Sequence, residues 1–191
     1  MSEPFLITGL PRSRTAWMAE IATDGDMACH HEPMTWLNRW DDIFTRIWGV
    51  ADGPRYMGIS DHLLGFYLPE IMARSMPRTL IIERPIGEVR VSLERLGQRA
   101  EPFCTMLLAA LAYAHPLILR VAYGDLRDTA TVARCLLHLA PEATPDRARI
   151  ERFQTINIQA DVSVAVRDRQ RIAGREADFL PVDVLAEMRA A

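Results

Sequence analysis

Phe5-Leu-Ile-Thr-Gly-Leu-Pro-Arg-Ser-Arg-Thr-Ala-Trp17 is the stretch from which the chain can be read outward. A short apolar run, Phe5 to Ile7, meets a Gly/Pro turn and then Arg12-Ser13-Arg14-Thr15. An amphipathic run begins at Ala16 and continues through Ile21. That order predicts a strand, a tight loop and a helix. A helix start after such a loop presents unpaired backbone N–H groups and the positive end of the helix dipole. Two arginines and two hydroxyls sit on it, which is the composition of an anion site.

The kind of anion is narrowed by what the loop lacks. A nucleotide-hydrolysing P-loop reads G-x-x-x-x-G-K-[ST]. Counted from Gly9, the second glycine position holds Arg14, the lysine position Thr15 and the magnesium-binding hydroxyl position Ala16. The groups that grip a magnesium–triphosphate are therefore replaced. The Pro11-Arg12-Ser13-x-Thr15-x-Trp17 pattern instead resembles the 5′-phosphosulfate loop of sulfotransferases that use 3′-phosphoadenosine 5′-phosphosulfate (PAPS). The resemblance implies that Arg12 lies beside the bridging oxygen of the donor. It further implies that Pro11, Arg12, Ser13, Arg14, Thr15 and Ala16 form the 5′-phosphosulfate loop. The family's usual glycine is Arg14 here and its usual second hydroxyl is Ala16, so Arg14 either adds a phosphate contact or crowds the loop.

A second stretch bears on the same reading. Arg78-Thr-Leu-Ile-Ile-Glu-Arg84 is a β-branched run ending in charge, followed by Pro85, a helical pattern through Leu96 and a stop at Gly97. Sulfotransferases carry an arginine at a strand end and a serine eight residues on, which together bind the donor's 3′-phosphate. Arg84 and Ser92 match that spacing (92 − 84 = 8). The bland alternative is a surface ion pair and a serine inside a helix.

Composition sets the outer bounds. The 191 residues suffice for one domain, 1–191, with a substantial core. Hydrophobic residues make up 49% and charged residues 25%, ordinary values for a folded chain. A net charge of −3 and a pI near 6.0 argue against a general nucleic-acid binder. All 22 basic residues are arginine, so any anion site must be built from guanidinium groups. Cys29, Cys104 and Cys135 are odd in number, widely spaced and without a zinc pattern, which points to a reduced, cytoplasmic protein. The first strand starts too close to Met1 for a signal peptide, and the apolar run Met106–Ala114 is too short to span a bilayer.

Further along, short strands are expected at Met27–His31, Tyr56–Ser60, Arg78–Glu83 and Leu117–Ala122. Helical patterns cover Met34 to about Val50, Leu63 to about Ser75 with Pro69 starting or kinking it, 86–96, 101–114, a run through Leu139, and Asp146 to about Gln170. Within the first of these, Trp36, Leu37, Trp40, Ile43, Phe44 and Ile47 form one stripe. A short final helix is expected within 181–191. Alternating strands and helices imply a three-layer α/β/α fold around a mostly parallel, five-stranded, P-loop-type sheet. Binding then belongs at the carboxyl ends of the strands, where Gly9–Thr15, His30–Glu32, Ser60–His62 and Arg84 all fall. The segment beginning Tyr123-Gly-Asp-Leu126 is similar to a sulfotransferase strand-to-helix element and carries no evident chemistry.

Cys29-His30-His31-Glu32-Pro33 is the place to look for a general base, since an acceptor hydroxyl must lose its proton as it attacks. Strand alternation sends His30 and His31 to opposite faces. Glu32, preceding a proline, is expected to be extended. Either Glu32 or His31 fits the role, and a purely structural role fits equally. Asp61 reads chiefly as a cap on the next helix, with acceptor or adenine contact as the alternative. His115 and His138 read as core or helix-end residues.

The reading is then a PAPS-dependent sulfotransferase-like enzyme acting by in-line transfer to a hydroxyl or amine of a small-molecule or carbohydrate acceptor. Its product is 3′-phosphoadenosine 5′-phosphate (PAP), and it requires no metal. Two alternatives stand beside it: a nucleotide or small-molecule kinase on the same scaffold, and a catalytically silent nucleotide-binding or interaction module. The family's carboxy-terminal R-K-G-x-x-G-x-W-K element is missing, with Arg171 or Arg175 as a faint echo.

Overall fold

Side chains along β1 (Glu3–Gly9) alternate between two dry faces: Phe5 and Ile7 join one core cluster, Leu6 the other. A strand buried on both sides belongs inside a covered parallel sheet. β2 (Met27–His31), β3 (Tyr56–Ser60), β4 (Arg78–Glu83) and β5 (Ile118–Ala122) complete it. The sheet has five strands in the order β2-β3-β1-β4-β5, and every pairing is parallel. The structure is a computed structural model that describes residues 2–155.

The helices are α1 (Thr15–Ile21), α2 (Ile43–Arg46), α3 (Leu68–Ser75), α4 (Ile86–Glu94), α5 (Phe103–Ala110), α6 (Thr129–Leu139) and α7 (Arg147–Gln154). Trp17 and Ile21 of α1, Val132 and Leu136 of α6 and Ile150 of α7 pack with Phe5, Ile7 and Leu80 on one face. Ile71 of α3, Val89 and Leu93 of α4 and Leu107 of α5 pack with Leu6, Ile59 and Ile81 on the other. The result is an α/β fold of three layers, helices on both sides of an all-parallel sheet. Capping follows the acidic residues that precede two helices. The Asp128 carboxylate accepts from the Thr131 N–H, and Asp146 accepts from those of Ala148 and Arg149.

Gly9 and Gly58 are fixed by close approach within the sheet. A Cβ on Gly9 would stand 2.5 Å from the carbonyl oxygen of Ile82 on the neighbouring strand. A Cβ on Gly58 would fall inside the Phe5 ring, 1.9 Å from its nearest atom. Pro69 sits in the first turn of α3, behind a 3₁₀ turn at Leu63–Tyr67, so it starts that helix.

The helix expected from Met34 to Val50 is broken. Two 3₁₀ turns, Pro33–Thr35 and Trp40–Asp42, precede the single turn of α2. The cause is local competition: Asp42 Oδ2 accepts from the backbone N–H of both Asn38 and Arg39 at 3.2 Å, which ends one turn and starts the next. Leu37, Ile43 and Ile47 still reach the core, but Trp36 swings out and is 48% exposed. The run expected from Asp146 to Gln170 is helical as α7 through Gln154 and ends at Thr155; 156–170, Arg171, Arg175 and 181–191 lie outside the described residues. Among the described residues no helix is long and apolar enough to cross a membrane, and all three cysteines are free thiols.

Candidate anion-binding site

The loop between β1 and α1 turns through two left-handed residues, Arg12 (φ 67°) and Arg14 (φ 62°). That region costs a residue with a Cβ on the order of 1 kcal/mol or more. Arg14 thus keeps the backbone conformation that favours glycine and hangs a guanidinium on it. The helix begins from this point, with the Met18 N–H donating to the Arg14 carbonyl at 2.9 Å. Ser13 and Thr15 are buried, Ala16 and Pro11 half-buried. Ser60, the last residue of β3, donates from its Oγ to the Thr15 carbonyl at 2.9 Å, and so ties the helix start to the sheet.

Arg84 comes to this loop from the tip of β4. Its Nη1 donates to the Arg12 carbonyl at 2.5 Å and its Nε pairs with Glu88 one helical turn on, at 3.2 Å. Ser92, on α4, meets the loop from above and accepts from Arg12 Nε at 3.2 Å. Arg84 and Ser92 therefore reach the same loop residue, Arg12, from two elements. Arg14 adds a third guanidinium. It lies 5.3 Å from the Trp17 ring centroid and 5.2 Å from that of Tyr123, and its Nη1 is buried with no hydrogen-bond partner among the described residues. Gathering Arg12, Arg14 and Arg84 on one turn gives a positive field that favours an anion. A pocket of about 280 Å³ opens beside Arg84, with Leu10, Ile81 and Leu111 as its apolar wall. Another, of about 290 Å³, opens at the amino ends of the strands around Asp26 and Tyr56, far from this loop.

His31 and Glu32 stand at the end of β2, on the other flank of the loop from Arg84, because β3 lies between β2 and β1. With strands spaced roughly 4.8 Å apart, that offset is about 10 Å. His31 Nε2 and Glu32 Oε1 are 3.5 Å apart. His30 turns away to meet Trp36 edge-on, as strand alternation requires. Removal of water around the His31 ring lowers its pKa, more than the adjacent Glu32 carboxylate raises it. A neutral imidazole able to accept a proton results. Glu32 is not extended. It turns left-handed (φ 48°), since its carbonyl accepts from the Thr35 N–H at 3.1 Å and from Thr35 Oγ1 at 2.8 Å to close the Pro33–Thr35 turn.

Asp61 is a double cap. Its Oδ1 accepts from the Leu63 N–H at 2.9 Å and its Oδ2 from the Met34 N–H at 3.2 Å, which joins the turns that follow β2 and β3. Burial pushes its pKa up to about 6, against the downward pull of His62 and of those two N–H groups. The folded chain therefore holds this proton between about pH 4 and 6, where the unfolded chain has released it. Stability from this group falls as pH rises through that window and is level above it. Urea denaturation from pH 4 to 7 should show this downward contribution as a difference from Asp61→Asn, whose slope lacks it. Asn supplies one acceptor oxygen for two donors, so it should also cost about 1–3 kcal/mol.

His138, at the end of α6, contacts the carbonyls of Thr79 and Leu117 through Nε2 at 3.1 Å, and His115 Nδ1 accepts from the Leu117 N–H. Both serve the fold. The residue that sequence reasoning passed over is Tyr123. It follows β5 directly, and its ring meets Arg84 at 4.3 Å and Arg14 at 5.2 Å. Its place at a strand's carboxyl end was the available signal. Comparison with family models, with curated proteins and with solved structures gave no match.

Proposed function

We propose that this chain binds PAPS at the β1–α1 loop and transfers its sulfuryl group to a hydroxyl or amine of a small-molecule or carbohydrate acceptor. One observation carries the reading: Arg84, from a separate strand tip, hydrogen-bonds the Arg12 carbonyl of the loop, while Ser92 meets the Arg12 side chain. Two strand ends thus form one cationic cradle, and an apolar-walled pocket opens beside Arg84. The buried, unpartnered Nη1 of Arg14 supports an anion there, since buried donors otherwise find partners.

PAPS, when bound, supplies a sulfuryl group on a phosphate leaving group. The loop backbone with Arg12, Ser13, Arg14 and Thr15 would hold the 5′ end, and Arg84 and Ser92 the 3′-phosphate. Arg12 would meet the charge that builds on the departing phosphate oxygen, a contact of a kind worth about 3 kcal/mol of barrier. The acceptor would enter from the β2 side, where His31 or Glu32 takes its proton.

A catalytically silent nucleotide-binding or interaction module is the second reading, favoured by Arg14 and Ala16 standing where the sulfotransferase loop carries a glycine and a second hydroxyl. A kinase is disfavoured by Thr15 and Ala16 at the lysine and magnesium-ligand positions. Calorimetry with PAP and with ATP–magnesium tests the class. PAP should bind at least about tenfold (1.4 kcal/mol) more tightly than ATP–magnesium. Indifference to both ligands removes the donor reading and the kinase alternative together.

A further inference from the structure

Tyr123 opens the 3₁₀ turn Tyr123–Arg127 that follows β5, the strand next to β4. It is half-buried against the cluster that holds Trp17 and Val121. Two guanidiniums from distant parts of the chain lie against its ring, Arg84 with Cζ 4.3 Å and Arg14 with Cζ 5.2 Å from the centroid. These two groups carry like charge and cannot hold each other. The face of an aromatic ring is the electronegative part of its quadrupole, so a guanidinium is drawn to it without being neutralised. Their remaining contacts are few. Arg84 has the Arg12 carbonyl and Glu88, and Glu88 is itself 55% exposed and so a weak restraint. Arg14 has the Trp17 ring, and its buried Nη1 is unpartnered among the described residues.

We infer that Tyr123 is a positioning residue: its ring fixes the Arg14 and Arg84 guanidiniums beside the β1–α1 loop, so that the anion cradle is formed before ligand arrives. A carboxylate in that place would fix the arginines too, but it would cancel the charge a phosphate needs and compete for the same N–H donors. A ring holds them and leaves those donors free. The loop carbonyl of Arg12, which Arg84 holds, is thereby tied to β5 as well as to β4. This inference rests on the donor reading for its ligand, and its test has one arm that does not.

The full chain is compared with Tyr123→Phe, which keeps the ring, and Tyr123→Leu, which keeps the apolar volume and removes it. In the ligand-free protein, nitrogen–proton NMR of the arginine Nε–Hε groups should show Arg84 and Arg14 shifted by the ring current. The Arg84 shift should persist in Tyr123→Phe and collapse in Tyr123→Leu, while Arg14 keeps the part due to Trp17. By calorimetry, PAP should bind Tyr123→Phe within about twofold of wild type and Tyr123→Leu about tenfold more weakly, as loss of cation–π contacts requires. In an Arg84→Gln background the same leucine change should cost no more than about threefold, because most of what it holds is gone. Equal losses in Tyr123→Phe and Tyr123→Leu would overturn the inference, since the hydroxyl would then be touching ligand directly. An unmoved Arg84 resonance in Tyr123→Leu would also overturn it. If wild type shows the ring-current shifts and binds no PAP, the donor reading fails while the positioning role stands.

Discussion

Arg84→Gln should weaken PAP binding by about a hundredfold, close to 2.7 kcal/mol. The figure follows from what the guanidinium does in two directions. Toward ligand it would give charge-assisted hydrogen bonds to the 3′-phosphate, each worth about 1.5–3 kcal/mol. Toward the protein it donates to the Arg12 carbonyl and lies on the Tyr123 ring. Glutamine fills similar space, carries no charge and does not stack as a cation. Adenosine 5′-phosphate, which lacks the 3′-phosphate, separates the two directions. Its affinity should fall by less than tenfold in the same variant, the part due to a loosened loop. Equal losses for both ligands would place the 3′-phosphate away from Arg84. Because Arg84 is partly exposed and its ion pair with Glu88 is a surface one, thermal stability should change little.

Gly58→Ala should be the most damaging single-methyl change to folding, lowering stability by about 3 kcal/mol or abolishing the fold. Gly58 and Phe5 are direct cross-strand partners in the β1–β3 register. The added Cβ would lie 1.9, 2.0 and 2.5 Å from three atoms of the Phe5 ring. Phe5 has no exposed surface and packs in the middle of the sheet, so the ring has nowhere to retreat. For a chain of this size 3 kcal/mol corresponds to a fall in Tm of roughly 6–12 °C. The double variant Gly58→Ala/Phe5→Leu should recover part of the loss, because the smaller side chain vacates the contested volume. A single variant within 1 kcal/mol of wild type, by chemical denaturation, would contradict this packing.

The strands were legible because each is a short β-branched or apolar run closed by Gly, Pro or charge, as in Arg78–Glu83 before Pro85. The sheet expected as mostly parallel is parallel throughout, since every crossover carries helical or turn structure. Helix ends were less legible where side chains compete with backbone. Asp42 breaks the Met34–Val50 run through two local hydrogen bonds that periodicity does not register. Glu32 escapes the extended bias before proline because Thr35 returns to its carbonyl. The site divides in the same way. The arginines and hydroxyls of the first loop, and Arg84 at its strand end, announce themselves by type and spacing. Strand order does not, and it is strand order that sets His31 and Glu32 on one flank of the loop and Arg84 on the other. Tyr123 was hidden for the same reason. Its partners lie 109 (123 − 14) and 39 (123 − 84) residues away in sequence, and only the fold brings the two guanidiniums to the one ring.

Crystallography of the full chain with PAP is the most direct test of the cradle. The 3′-phosphate should lie within hydrogen-bond reach of the Arg84 guanidinium and Ser92 Oγ, with the 5′-phosphate on the backbone N–H groups from Ser13 to Ala16. PAP bound at the amino ends of the strands, or seated with its 3′-phosphate turned away from residue 84, would contradict it, as would a loop that takes up no ligand at millimolar PAP.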